Sequence, residues 1–273
     1  MSALPKPQEE SKMKILSLGA GVQSSTLALM CEAGEIEKPD YAIFADTGWE
    51  PRHVYEWLDY IEKQISFPVM RVSKGNIKND LIQNIEHGKR FGSIPFFTNG
   101  GGMGRRQCTN EYKLQPIRKK VRELLGFEKG QRIPSGSVDM YIGISVDEIQ
   151  RMKPSRDKWI NNVWPLIDLD MTRNDCFAWM RKHKYPQPPK SSCIGCPYHS
   201  NSHWAEMQKN DPESFADAVS VDNKLRDSGV RTGMKNEEFM HRSLTPLGDI
   251  TFFDDRQQEL DLFDDECEGM CGL

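Results

Sequence analysis

Residues 17–26 read SLGAGVQSST, preceded by the run Met13-Lys14-Ile15-Leu16 and followed by Leu27-Ala28-Leu29-Met30. An apolar run, a glycine-rich turn and a second apolar stretch give the order strand, tight turn, helix. Gly19 and Gly21 allow the backbone to approach an anion closely. Ser24 and Ser25 add hydroxyls at a helix N-terminus, where amides and dipole favour negative charge. The spacing is neither GxGxxG nor GxxxxGK[ST], so neither of those fingerprints applies. A plain strand–helix turn is the competing reading.

Outward from this turn the first half of the chain alternates. Lys14–Leu18 reads as a buried strand, Ser24–Ala33 as a helix and Tyr41–Ala45 as a second strand. Residues 51–65 form an amphipathic helix with Pro51 in its first turn and Val54, Trp57, Leu58, Ile61 and Ile65 on one face. A strand over Pro68–Val72 and a helix near Asn76–Glu86 come next. The loop TNGGGMGRRQCT then leads to a helix over Glu111–Leu125 and a strand over Val138–Ile144. Such alternation builds a Rossmann-like α/β fold: a parallel sheet with helices on both faces, binding ligands beyond the strands' carboxyl ends.

After about residue 170 the pattern changes. Thr172 and Asp175 are spaced as a capping box for a helix through Lys182. KYPQPPKSSCIGCPYHS (184–200) reads as a proline-rich loop, and helices follow over Asn201–Lys209 and Asp211–Arg226. The expected organisation is a loose tail over 1–12, an α/β core over 13–170, and a helical, cysteine-containing layer over 171–273 packed on that core.

The 273 residues are 37% hydrophobic and 28% charged, which suits a globular protein with a full core. A net charge of −4 gives no global basic field, so tight non-specific nucleic-acid binding is not expected, although a local basic groove is compatible. No apolar run approaches membrane-spanning length, and the start MSALPKPQEESKMK has no apolar signal core, so the expected location is the cytoplasm. Seven cysteines there favour free thiols, catalysis or metal over a disulfide framework. Cys31, inside an apolar helix pattern, reads as a core residue.

Cys193-Ile-Gly-Cys196-Pro has metal-type spacing, because two thiolates on one tight turn can grip one centre. Adding Cys108 makes three candidate ligands, and Cys176 or a substrate is the candidate fourth. Structural zinc, with His199 and His203 available, and free redox thiols are the alternatives. Arg151, Lys113, Arg105 and Arg106 are candidates to neutralise a phosphate or sulfate, the last two competing with a surface role.

Four stretches, taken in order, resemble the adenine-nucleotide α-hydrolase (PP-loop) superfamily and, within it, the phosphoadenosine-phosphosulfate (PAPS) reductase-like branch. GAGVQSS lines up with the SGGxDS pyrophosphate loop as Gly19, Ala20, Gly21, Val22, Gln23, Ser24 and Ser25. ATP pyrophosphatases usually carry Asp where Gln23 stands, whereas the reductase branch uses a GxQ form. FADTGWEP (44–51) resembles the second-strand DTG motif through Asp46, Thr47 and Gly48. GISVDEIQR (143–151) resembles the fourth-strand segment through Gly143, Asp147, Glu148 and Arg151. CTNEYKLQP (108–116) resembles the CCxxRKxxP segment of iron–sulfur adenylylsulfate reductases. Cys108, Lys113 and Pro116 are in register there, with Thr109 replacing the second cysteine and Tyr112 the arginine. The resemblance spans roughly residues 13–200.

The resemblance implies an adenine nucleotide, either ATP with Mg2+ or PAPS as substrate, held by Ser17, the 19–25 loop, Asp46–Gly48, Gly143, Asp147 and Glu148. It implies chemistry at the α-phosphate involving Cys108, Lys113 and Arg151, with Cys108, Cys193, Cys196 and Cys176 as the ligand set of a [4Fe-4S] cluster. In the leading reading the enzyme adenylates an acceptor oxygen, of a nucleic-acid base or another acceptor, releases pyrophosphate and substitutes sulfur from the cluster, with a sulfur donor as partner. In the alternative it is a reductase served by a thioredoxin-like partner. Glu266-Cys267-Glu268-Gly269 loosely echoes that group's catalytic tail, with Cys271 as a candidate resolving thiol. Flanking acids blunt Cys267, and the histidine usual in that tail is missing. A non-catalytic nucleotide or redox sensor is the third reading. A homodimer is compatible with all three.

Overall fold

The computed structural model describes residues 12–87, 92–227 and 235–252. In chain order the elements are β1 (Met13–Ser17), α1 (Val22–Ala33), β2 (Tyr41–Asp46), α2 (Arg52–Gln64), β3 (Val69–Ser73), α3 (Ile77–His87) and β4 (Phe97–Thr98). Then come α4 (Gln115–Leu124), β5 (Val138–Ile142), β6 (Ile160–Val163), α5 (Pro165–Asp168), α6 (Arg173–Lys182), α7 (Asn201–Asn210), α8 (Pro212–Asp227) and β7 (Glu238–Phe239). The expected loose tail, apart from Lys12, and the cysteine tail with Cys267 and Cys271 lie outside the described residues.

Five strands make one parallel sheet in the order β3-β2-β1-β5-β6. The architecture is therefore the Rossmann-like α/β fold that the alternation implied. β1 is central and reads as a nearly continuous apolar run, because helices cover both of its faces. The chain winds outward from β1 to β3, then restarts at β5 on β1's other side. Strand order reverses between β1 and β5, and the crevice at such a point is where open α/β sheets bind ligands. The turn at 18–21 leaves β1 there, and the segment 143–151 leaves β5 beside it.

Helix α2 buries Val54, Trp57, Leu58 and Ile61, as its spacing requires, each worth about 1.5–3 kcal/mol when fully covered. Thr172 and Asp175 form the capping box of α6, with both reciprocal bonds present. Cys176, Trp179 and Met180 of α6 join the apolar cluster that holds Leu27, Leu29 and Met30 of α1. Trp204 and Met207 of α7 and Phe215, Ala218 and Val221 of α8 share a second cluster with Trp49, Ile77 and Leu81. The later helices thus complete cores begun by the first half of the chain.

Three local features differ from the sequence reading. β6 pairs with β5 at the sheet edge, where the polar Ile160-Asn161-Asn162-Val163 gives almost no periodic signal. Strand β5 stops at Ile142, two residues short of the expected end. The expected helix over 111–125 is a π-helical turn over Thr109–Leu114 that runs into α4. Pro116 supplies no N–H for the Tyr112 carbonyl, while Gln115 N–H reaches back to the Asn110 carbonyl, widening the coil by one residue.

Candidate nucleotide and thiol site

The turn after β1 is built tightly. Ala20 has a φ of 61°, a left-handed conformation uncommon outside glycine. Gly21 is the N-cap of α1, with a φ of −89°. Ser24 Oγ accepts from Gly19 N–H at 3.1 Å and donates to the Gly21 carbonyl at 3.4 Å. From β5, Gly143 comes so close that a Cβ on it would lie 2.7 Å from Ser24 N. The loop expected to present itself to an anion is instead closed: Ala20, Val22, Gln23, Ser24 and Ser25 are each at most 1% exposed. Ser191 Oγ, from the proline-rich loop, donates to the Gly19 carbonyl and forms part of the cover. Ser17 is buried at the end of β1, and Ser25 Oγ accepts from Trp57 Nε1 at 2.9 Å.

Gln23 links this turn to the segment after β5. Its Nε2 donates to Glu148 Oε2 at 3.0 Å and to Ser145 Oγ at 3.4 Å. The carboxylate fixes which way the amide faces, because only the NH2 group can donate to it. Gln23 Oε1 is buried with no hydrogen-bond partner among the described residues. Glu148 also pairs with Arg151. Arg151 is thus brought to the turn after β1 through a carboxylate that bridges it to Gln23. Asp147 faces elsewhere, accepting from Arg173 N–H at 3.0 Å at the start of α6.

The segment after β2 faces the other side. Asp46 Oδ1 accepts from Gly48 N–H at 2.7 Å and from Tyr55 Oη at 2.8 Å. Burial and that carboxylate push the Tyr55 phenol well up, so it stays a donor. Gly48 is required here, because its φ is +71° and a Cβ would meet Asn76 Cα at 2.9 Å. Thr47 points inward, its hydroxyl 2.9 Å from Glu50 Oε1 and 3.1 Å from Cys193 Sγ. Cys193 Sγ is also 3.4 Å from Glu50 Oε1.

Cys108, Cys193 and Cys196 come from distant parts of the chain and line one cavity of about 30 Å3, together with Thr47, Lys113 and Arg106. The turn over Cys193–Cys196 is closed by Cys196 N–H to the Cys193 carbonyl at 3.1 Å. It sits flat on Trp49: Ile194 N–H donates to the Trp49 carbonyl at 2.9 Å, and Gly195 leaves no room for a Cβ over the ring. Burial and then Glu50 push the Cys193 thiol well up, while the ammonium of Lys113 acts in the opposite direction. Arg106, a candidate surface residue by sequence, lies over the Tyr198 ring at 4.9 Å, whereas Arg105 is exposed.

Cys176 is not with this group. It is fully buried on α6 within the apolar cluster of α1, so it belongs to the core rather than to the thiol cavity. His199 Nε2–H donates to the carbonyls of Cys193 at 3.0 Å and Ile194 at 3.2 Å, and burial holds its pKa well below the usual value. His203 packs beside it, with ring centroids 4.1 Å apart and planes tilted by 36°. Among the described residues no three Cys, His, Asp or Glu side chains are grouped so as to hold a metal ion. Cys193 is engaged by Thr47 and Glu50 at the edge of this small cavity.

Glu50, Trp49, Ser191 and Gly195 were not singled out by sequence. Glu50 carried a signal: an acid directly after Asp-Thr-Gly-Trp, at the mouth of a strand. The other three take their roles from what they touch, which a single sequence does not display.

No family model matches the chain. Over 82 residues, 30% of this chain, the sequence is 38% identical to an uncharacterized 37.8 kDa protein of Escherichia phage 186. That match spans 22% of the phage protein's length. Among solved structures, PAPS reductase from Candida auris in a phosphate complex aligns with a TM-score of 0.43 at 14% identity, over 66% of this chain and 76% of that one. No described helix is long and apolar enough to cross a membrane.

Proposed function

We propose that this protein is a PAPS reductase-like PP-loop enzyme that holds an adenine nucleotide at residues 19–25 and acts at its α-phosphate in ATP-dependent sulfur transfer. One observation carries the reading: Cys108, Cys193 and Cys196, far apart in sequence, line a single cavity with Lys113 and with Thr47, which follows β2 directly. An acceptor oxygen attacks the α-phosphorus of ATP, supplied with Mg2+, and pyrophosphate leaves. Sulfur carried as a persulfide on one cavity thiol then displaces AMP, and a second thiol completes a disulfide. Arg151 and Lys113 offset the charge that builds at phosphorus, which is worth most where water is excluded.

A reductase is the second reading, favoured by Gln23, which stands where the reductase branch carries a GxQ form. There a thiolate attacks the sulfur of the activated sulfate, the nucleotide leaves, and a second thiol releases sulfite as a disulfide forms. A thioredoxin-like dithiol restores the pair. Anaerobic purification with iron, sulfide and zinc assays, followed by incubation with ATP or PAPS, separates the readings. Pyrophosphate release supports the first and sulfite the second. Nucleotide binding with neither product would leave only a sensor. Stoichiometric iron and sulfide would show that the thiols rearrange around a cluster.

A further inference from the structure

We propose that Pro116 is a positioning residue for the thiol cavity: by forcing the π-turn over Thr109–Leu114 it brings Lys113 round to the side of the coil that carries Cys108. The use of that ammonium in sulfur chemistry rests on the reading above, whereas its placement does not.

Cys108 and Lys113 are five residues apart. At 3.6 residues per turn an α-helix would set their side chains about 140° apart, on different faces. Yet both line the same cavity, together with Thr109. The backbone accounts for it. Glu111 N–H donates to the Gln107 carbonyl at 2.9 Å, four residues back, as in an α-helix. Gln115 N–H donates to the Asn110 carbonyl, five residues back. A coil closed over five residues returns Lys113 to the bearing of Cys108, and Thr109 comes with them.

The cause lies just beyond the turn. In a regular helix the ring of Pro116 would clash with the Tyr112 carbonyl, and it has no N–H to offer that carbonyl. Widening the preceding turn relieves the clash. Other side chains of the turn are tied outside the cavity. Glu111 Oε2 accepts from Lys74 Nζ at 2.8 Å and from Ser93 Oγ at 3.0 Å, and Tyr112 Oη donates to Asp80. Past the proline, Ile117 and Val121 anchor α4 in the apolar cluster of Ile43 and Ile142. Lys113, 5% exposed, is thereby held near the thiols, where its charge favours the Cys193 thiolate.

Pro116→Ala supplies the missing N–H and lets the turn close as an α-helix, which swings Lys113 out of the cavity. The readout is the ratio of alkylation rates by iodoacetate and by iodoacetamide at Cys108 and Cys193, followed by mass spectrometry on the full chain. Both reagents attack the same thiolate, so their ratio reports the local charge. Lys113→Gln should lower it about fivefold, the effect of one unit charge a few ångströms away in water. Pro116→Ala should lower it as far, and the double variant no further. Loosened packing alone would speed both reagents alike and leave the ratio where it was. An unchanged ratio in either single variant, or a double variant that adds the two effects, would overturn the proposal. One measurement needs no variant: in the unmutated chain, NMR coupling across the hydrogen bond should link Gln115 nitrogen to the Asn110 carbonyl, and a link to Glu111 instead would overturn the turn itself. No nucleotide enters these measurements, so their failure leaves the nucleotide reading standing. A chain that binds neither ATP nor PAPS would sink that reading and leave the placement of Lys113 intact.

Discussion

Replacing Gly195 by alanine probes the seat of the thiol turn. An ideal Cβ at this position would lie 2.1 Å from Trp49 Cη2 and 2.4 Å from Cζ3, more than an ångström inside ordinary contact. The indole cannot easily yield. It is 3% exposed, and its Nε1 donates to Asp217 Oδ2 at 2.7 Å. The turn must therefore rise, giving up the Ile194 N–H bond to the Trp49 carbonyl. Overpacking of this kind costs about 1–3 kcal/mol. The lost bond adds about 1 kcal/mol. A total of about 2–4 kcal/mol should lower the melting temperature on the order of 5–10 °C in a chain of this size. Cys193 and Cys196 should also react faster with a thiol reagent, followed residue by residue by mass spectrometry. Gly248→Ala is the comparison, since its Cβ would approach only the Val219 Cγ1 methyl at 3.1 Å. If Gly195→Ala melts with the wild type and its thiols react at the same rate, the turn does not rest on Trp49 as described.

Two further outcomes are expected. Gly143→Ala should lower the urea midpoint and abolish nucleotide binding, because its Cβ would meet backbone atoms of Ser24 at 2.7 and 2.9 Å and the start of α1 must shift; a cost of about 1–3 kcal/mol is expected, and wild-type affinity would contradict it. Burial pushes the Cys31 thiol from 9.0 up to about 12, so below pH 9.0 it is protonated in both states. Above that the unfolded chain loses its proton first, and stability should fall as pH rises from 9.0 toward about 12. Urea titrations of the wild type and Cys31→Ala across that range would show it, and parallel slopes would count against it.

Much of the architecture was legible in the chain itself. Period-2 and period-3.6 patterns, Pro51, and the Thr172–Asp175 pair are local signals, and local geometry alone fixes the elements they mark. β6 escaped because an edge strand tolerates the asparagines that erase its pattern. The π-turn before α4 escaped because it depends on which carbonyl accepts one displaced N–H. The three thiols could be named from type and spacing, but their meeting in one cavity depends on sheet order, which no local pattern encodes.

Sequence by itself therefore determined the alternation of strand and helix, the closing turn at Gly19–Gly21 and the inventory of sulfur and charge. Tertiary structure alone decided that Cys176 goes to the core, that Glu50 and Thr47 hold Cys193, and that Ser191 bonds the Gly19 carbonyl. The physical reason is range. Backbone sterics and side-chain periodicity act within a few residues, whereas hydrogen bonds such as Ser191 to Gly19, 172 positions apart, exist only once packing has brought their partners together.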